Sequence, residues 1–141
     1  MGVAQGARAS GFVWKSGWIV TADEAPSEAT RYAVGFSDGA RFAATLHGRD
    51  PSTDVALLKL DQEHGVPTPL DALPVKTGAM TLAMGSAGGN TLAAFGVVTH
   101  ASDAWRSMRG GKIDARIDLG LRLDRRAEGG LAFDMRRGTG F

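Results

Sequence analysis

Glycine interrupts this chain so often that no window sustains the 3.6-residue apolar period of a helix. Twenty glycines and five prolines are spread along 141 residues, and most fall where a short apolar or alternating run ends. Many short runs bounded by turn residues predict an all-β architecture.

Gly11 to Thr21 reads as a hairpin about Lys15-Ser16-Gly17, with Phe12, Val13 and Trp14 before the turn and Trp18, Ile19 and Val20 after it. A polar loop covers Thr21 to Thr30. Arg31 to Phe36 and Arg41 to Leu46 are strands around the turn Ser37-Asp38-Gly39. Arg49-Asp50-Pro51-Ser52-Thr53 is a further turn, and Val55 to Leu60 an apolar strand broken only by Lys59. Asp54 stands between them, at the lip of that strand. A charge there must face water or be held by partners. Asp61 to Thr77 carries Pro67, Pro69 and Pro74 and reads as a linker, with a short strand near Leu70 to Val75. Met80 to Met84 and Thr91 to His100 are strands flanking a glycine loop from Gly85 to Asn90, the second with a kink at Gly96. Ala101 to Gly111 is a loop carrying Trp105. Lys112 to Leu123 alternates with a period of two, as a strand with one buried face does. Arg125 to Gly130 is a loop, and Leu131 to Phe133 begins a last strand. The expected organisation is one domain of two lobes, residues 1–60 and 78–141, joined by a linker at 61–77.

Sixteen basic residues oppose fifteen acidic ones, so net charge names no partner, and nucleic acid calls for a stronger excess or a basic stripe. Arg122, Arg125, Arg126, Arg136 and Arg137 read as a solvated face. With no cysteine there is no disulfide framework, thiolate nucleophile or cysteine-ligated metal. No run approaches the roughly 20 apolar residues that cross a bilayer. The first ten residues lack the charged start and apolar core of a signal peptide. Gly85 to Asn90 lacks the Gly-Lys-Ser/Thr ending of a phosphate loop.

Taken in order, these segments resemble the HtrA/Deg-type trypsin-like serine proteases over about residues 10 to 134. Gly48-Arg49-Asp50-Pro51-Ser52-Thr53-Asp54-Val55-Ala56-Leu57-Leu58-Lys59-Leu60 is similar to the family's catalytic-aspartate motif. Trp18-Ile19-Val20-Thr21 is similar to the strand before the catalytic histidine, and Gly129-Gly130-Leu131 to the residues just after the nucleophilic serine. The resemblance implies a double antiparallel β-barrel with a cleft between the barrels. It also implies a triad in which serine attacks, histidine takes the proton and a buried aspartate orients the histidine.

Two triad positions depart from that pattern. Thr21-Ala22-Asp23-Glu24 puts Glu24 where the family has histidine, and Arg126-Ala127-Glu128-Gly129-Gly130 puts Glu128 where it has serine. Asp54 alone is retained. A resonance-stabilised carboxylate is a poor nucleophile toward an amide, and glutamate is a weaker base than histidine at neutral pH. Arg126 also occupies the glycine position whose N–H helps form the oxyanion hole. The expectation is a pseudoprotease that binds extended peptide or protein, with Arg126, Ala127, Gly129 and Gly130 lining its cleft. The alternative is an active endopeptidase or hydrolase with a carboxylate or metal-assisted site, and a third reading is a purely structural interaction domain. None of His47, His64, His100, Ser86 and Ser102 suggests a replacement.

If Glu24, Asp54 and Glu128 converge, their oxygens would suit calcium, magnesium or manganese; otherwise no cofactor is expected. About eleven residues follow Gly130, which leaves the second barrel open unless further strands or a partner close it. An open strand edge would allow a homo-oligomer. The resemblance points to a bacterial periplasm or cell envelope.

Overall fold

In the computed structural model, the described residues are 2–3, 9–24, 30–71, 74–102, 105–106, 112–113 and 115–141. They form antiparallel sheets and one short 3-10 turn at Arg125–Ala127. The first sheet contains β1 (Gly2–Val3), β2 (Gly11–Lys15), β3 (Trp18–Ala22), β4 (Arg31–Gly35), β5 (Arg41–Asp50) and β6 (Val55–Leu60), in the order β1-β4-β5-β6-β3-β2. The second contains β7 (Met80–Ala87), β8 (Asn90–Ser102), β11 (Arg116–Gly120), β12 (Leu131–Asp134) and β13 (Thr139–Gly140), in the order β11-β8-β7-β12-β13. A small ribbon pairs β9 (Trp105–Arg106) with β10 (Lys112–Ile113). Among the described residues neither sheet closes on itself.

Alternation builds the first core. Tyr32 and Val34 on β4 and Ala56, Leu58 and Leu60 on β6 point inward, while Arg31, Ala33, Val55 and Lys59 point out. Val13, Ile19, Tyr32, Val34, Ala44, Leu58 and Leu60 pack together, with Phe36, Phe42 and Leu46 against them. Burying a side chain such as Ile19 or Leu58 contributes about 1.5–3 kcal/mol. On the second sheet the two faces differ. Thr81 and Ala83 on β7 and Asp134 on β12 are buried on one face, while Met80, Leu82 and Met84 turn to the other.

Several expected boundaries move. β5 runs on to Asp50, because after a register shift near His47 its residues Gly48, Arg49 and Asp50 pair with Leu57, Ala56 and Val55. Its polar, glycine-bearing end hid that continuation. Gly85 to Ala87 belong to β7, so the expected glycine loop shrinks to Gly88-Gly89. Both take positive φ, 59° and 83°, as a two-residue hairpin turn requires. Of the strand expected at Leu70 to Val75, the described residues form a single bridge, from Leu70 to Gly140, since the nearby prolines lack an N–H, and residues 72–73 lie outside the described residues. The long strand expected over Lys112 to Leu123 is broken. Arg116 to Gly120 pairs with β8 across a shift at Asp118/Leu119, Leu121 and Leu123 leave the sheet, and no face of β11 is fully buried. Part of the 21–30 loop and most of the 101–111 loop lie outside the described residues.

Ser10 ties the sheets together. It is fully buried just before β2. Its N–H donates to the Glu128 carbonyl at 2.7 Å, and its carbonyl accepts from Thr21 Oγ1 at 2.5 Å. Its hydroxyl accepts from the Ser86 N–H at 2.8 Å and lies 2.8 Å from the Arg126 carbonyl, to which it donates. Ser10→Ala would leave the Ser86 N–H and the Arg126 carbonyl without this partner. It is expected to cost about 1–3 kcal/mol in urea denaturation, and a loss under half a kcal/mol would show that the hub is incidental.

Candidate functional site

Three backbone segments meet where the resemblance places the triad. Glu24 follows β3, and Asp54 opens β6. The Asp23 N–H donates to the Asp54 carbonyl at 3.1 Å, and the Glu24 N–H donates to Asp54 Oδ1 at 3.2 Å. Asp54 takes a left-handed backbone, φ 57°, a region aspartate enters more readily than most residues. Its carboxylate is exposed, not buried, and addresses the backbone of Glu24.

Local chemistry fixes this geometry. Asp50 Oδ1 accepts from the Ser52 N–H at 3.0 Å and Oδ2 from Thr53 Oγ1 at 2.7 Å, closing the turn before Asp54. The Ser52 hydroxyl, then the Thr53 hydroxyl, hold the Asp50 carboxyl below its ordinary range. Arg49 Nε donates to Asp23 Oδ1 at 2.6 Å and Nη2 to the Asp23 carbonyl at 3.0 Å. That clamp pins the loop bearing Glu24 to the end of β5, satisfies the buried Asp23 and raises the Arg49 pKa. Arg49 read as a turn residue in the sequence. Its partner is 26 positions away, so only the fold could reveal the pair.

Glu128 arrives from the second lobe, exposed at the end of the 3-10 turn. Gly129 follows with φ +81° and lies against Ser10 and Thr21. The turn is capped by Asp124, whose Oδ1 accepts from the Arg126 N–H at 2.9 Å. The Arg126 guanidinium grips the same carboxylate, Nε to Oδ1 at 2.9 Å and Nη2 to Oδ2 at 2.7 Å. It holds the Asp124 carboxyl far below the usual range. The Glu128 N–H donates to the Arg125 carbonyl at 3.1 Å. The N–H groups of Arg126 and Glu128 are thus both engaged inside the turn, whereas an oxyanion hole needs its donors aimed at the substrate. Asp124 carried no signal in the sequence beyond standing two residues before Arg126.

The expected carboxylate cluster is not assembled. Among the described residues, which include Glu24, Asp54 and Glu128, no three His, Cys, Asp or Glu side chains are grouped to hold a metal ion. Asp54 turns to a backbone amide instead. Of the expected cleft residues, Arg126 is exposed, but Ala127 is buried behind Gly85 and Gly130 packs on the Met84 carbonyl. His47 lies edge-on to Trp18 at 4.8 Å. His64 sits 4.6 Å from the rings of Phe36 and Phe42, and His100 pairs across the second sheet with Asp118.

The described chain has a groove of about 670 Å³ between the sheets. Gly11, Phe12, Phe36, His64, Met84 and Phe133 are among the residues lining it, while Glu24, Asp54 and Glu128 are not. Among the described residues no helix is long and apolar enough to cross a membrane.

The sequence profile of the trypsin-like peptidase domain matches residues 9–139. A probable periplasmic serine endoprotease, DegP-like, of Bartonella henselae is 32% identical over 128 residues, covering 88% of this chain and 25% of that protein. A DegP-like protein of Brucella suis is also 32% identical, over 139 residues, covering 94% of this chain and 26% of its own length. The chain therefore spans about a quarter of these relatives. Among solved structures, Deg5 superposes with a TM-score of 0.78 at 24% identity, covering 97% of this chain and 73% of the other, a likeness that shows the fold.

Proposed function

The chain belongs to the trypsin-like peptidase domain family, HtrA/Deg type, and within it we propose a catalytically inactive member kept for binding peptide or protein. The observation that carries this reading is the turn at Asp124–Glu128. Glu24 and Glu128 stand where the resemblance puts histidine and serine, and the N–H groups of Arg126 and Glu128 are already bonded, one to Asp124 and one to the Arg125 carbonyl. Loss of the nucleophile alone removes about 10⁶-fold in kcat in a subtilisin-type triad. In an otherwise intact site one missing oxyanion donor removes about 10²–10³-fold, and such losses do not simply multiply.

What remains is a scaffold. Asp54 and Arg49 hold the Glu24 loop, and Ser10 locks the two sheets in register. A structure described as an HtrA-type protease, AlgW, with a decapeptide shares the fold at TM-score 0.74 and 23% identity, covering 89% of this chain and 39% of the other. Peptide binding by this chain accords with that likeness. The DegP-like relatives are named periplasmic, which supports a periplasmic site of action.

Casein degradation by the purified chain tests the reading. Wild type and Glu128→Ala are both expected to stay at the rate of a no-protein control. Cleavage by wild type that Glu128→Ala abolishes would overturn inactivity and favour a carboxylate-based hydrolase.

A further inference from the structure

We propose that the groove between the sheets binds an extended apolar segment of a partner protein that carries a basic residue beside its apolar side chains. The inference deepens the binding reading above. It stands apart from catalysis, since Glu24, Asp54 and Glu128 do not line the groove.

The walls come from separate parts of the chain: Phe12 on β2, Phe36 just past β4, Val66 on the linker, Met84 on β7, and Leu131 and Phe133 on β12. Aromatic rings and a thioether make an adaptable apolar lining, and about 670 Å³ lies within the range of ligand pockets. Val66, between Gly65 and Pro67, stands 86% exposed at the rim.

The apolar surface does not stop at the groove. Met84 pairs with Leu131 and Leu82 with Phe133, so strand alternation puts Met80, Leu82 and Met84 on one face with Leu131 and Phe133. Across β8, Phe95 pairs with Leu82 and Val97 with Met80 on that face. Phe95 is 59% exposed, Met80 50% and Val97 40%. Met80 to Met84 spans about 13 Å at the rise of a strand, the reach of about four extended residues. A continuous exposed apolar strip of this kind marks an interaction surface.

Charge selects the occupant. Among the described lining residues Asp38 is the one carboxylate, and none is lysine or arginine. Its side chain is 58% exposed. The Ala40 N–H, and secondarily His64, hold its carboxyl below the ordinary value, so it is ionised at neutral pH. A twofold contact of this patch with itself would bring in no lysine or arginine from the lining to meet Asp38. Asp38 Oδ2 already lies 3.2 Å from His64 Nε2 on the same wall, and a partner segment with a lysine or arginine adds a permanent cation at the exposed part of that carboxylate.

Calorimetry on the full chain tests this with an acetylated, amidated Ser-Phe-Leu-Phe-Arg-Ser peptide and its counterpart with glutamate for arginine. The arginine peptide should bind at least about tenfold more tightly. Val66→Glu should weaken it about tenfold or more. Asp38→Asn, which keeps an oxygen for the Ala40 N–H, should erase the preference between peptides. Both positions are exposed, so thermal melting should stay near wild type. No heat at millimolar peptide, or binding indifferent to both substitutions, would overturn the proposal. So would a dimer that Val66→Glu dissolves, since a second copy would then fill the groove. Casein cleavage would sink inactivity and leave these heats unchanged, whereas absent heats with an inert casein assay would sink the groove alone.

Discussion

Gly129→Ala is expected to leave little or no soluble folded protein. A Cβ there would overlap the Ser10 carbonyl oxygen and stand 2.5 Å from Thr21 Oγ1 and 2.6 Å from the Ala22 nitrogen. Those atoms are backbone or a buried hydroxyl, so none can swing aside. The residue also sits at φ +81°, where a side chain costs about 1–2 kcal/mol before any clash. Overpacking adds about 1–3 kcal/mol, against a total stability of about 5–15 kcal/mol for a domain. The loss should appear as inclusion bodies, or as a urea midpoint at least about 1 M lower in whatever refolds. Gly138→Ala is the control, since its φ is also positive, +68°, but nothing lies within 4 Å of the added Cβ. Equal losses from both would show that backbone strain, rather than contact with Ser10 and Thr21, sets the effect.

Restoring the family side chains is expected to fail until the turn is also opened. A Glu24→His, Glu128→Ser double variant regains base and nucleophile, and Asp54 already addresses residue 24. Its N–H groups at 126 and 128 would still be spent on Asp124 and Arg125. Fluorogenic casein should therefore show no cleavage above background. Adding Asp124→Ala and Arg126→Gly removes the cap and the guanidinium clamp and frees the peptide at 126. A gain of about 10²-fold or more over the double variant is expected, the worth of one oxyanion donor. Activity in the double variant alone would mean that the turn rearranges around substrate and that its hydrogen bonds do not block the site.

Much of the first lobe was legible because its signals are local. Alternation in Tyr32 and Val34, the Ser37-Asp38-Gly39 turn and the Asp54 motif each lie within a few residues. The glycine-rich second lobe was harder to read. Ser86 and Ala87 looked like loop among glycines, yet they pair with Thr91 and Asn90 because a two-residue Gly-Gly turn needs nothing more. Of the site, the resemblance pointed to Glu24, Asp54 and Glu128 but not to what holds each of them. The expected convergence of Glu24, Asp54 and Glu128 into a metal cluster rested on position alone. Nothing local foretells that Asp54 would spend an oxygen on the Glu24 N–H. Ser10, Arg49 and Asp124 matter through partners or bond angles that composition does not encode.

The hydroxyl of Ser10 also sets an order of events during synthesis. Its partner carbonyl on Arg126 lies 116 positions downstream, and its other contact, Ser86, lies 76 positions downstream. A ribosome making the chain therefore delivers the whole first sheet before the atoms that complete its buried corner exist. Until then Ser10 must stay hydrated, and the apolar walls of the groove remain parted. Closure of such long loops is slow, so the nascent chain has a stretch of time in which Phe12 and Phe36 face water without Met84, Leu131 and Phe133 opposite them.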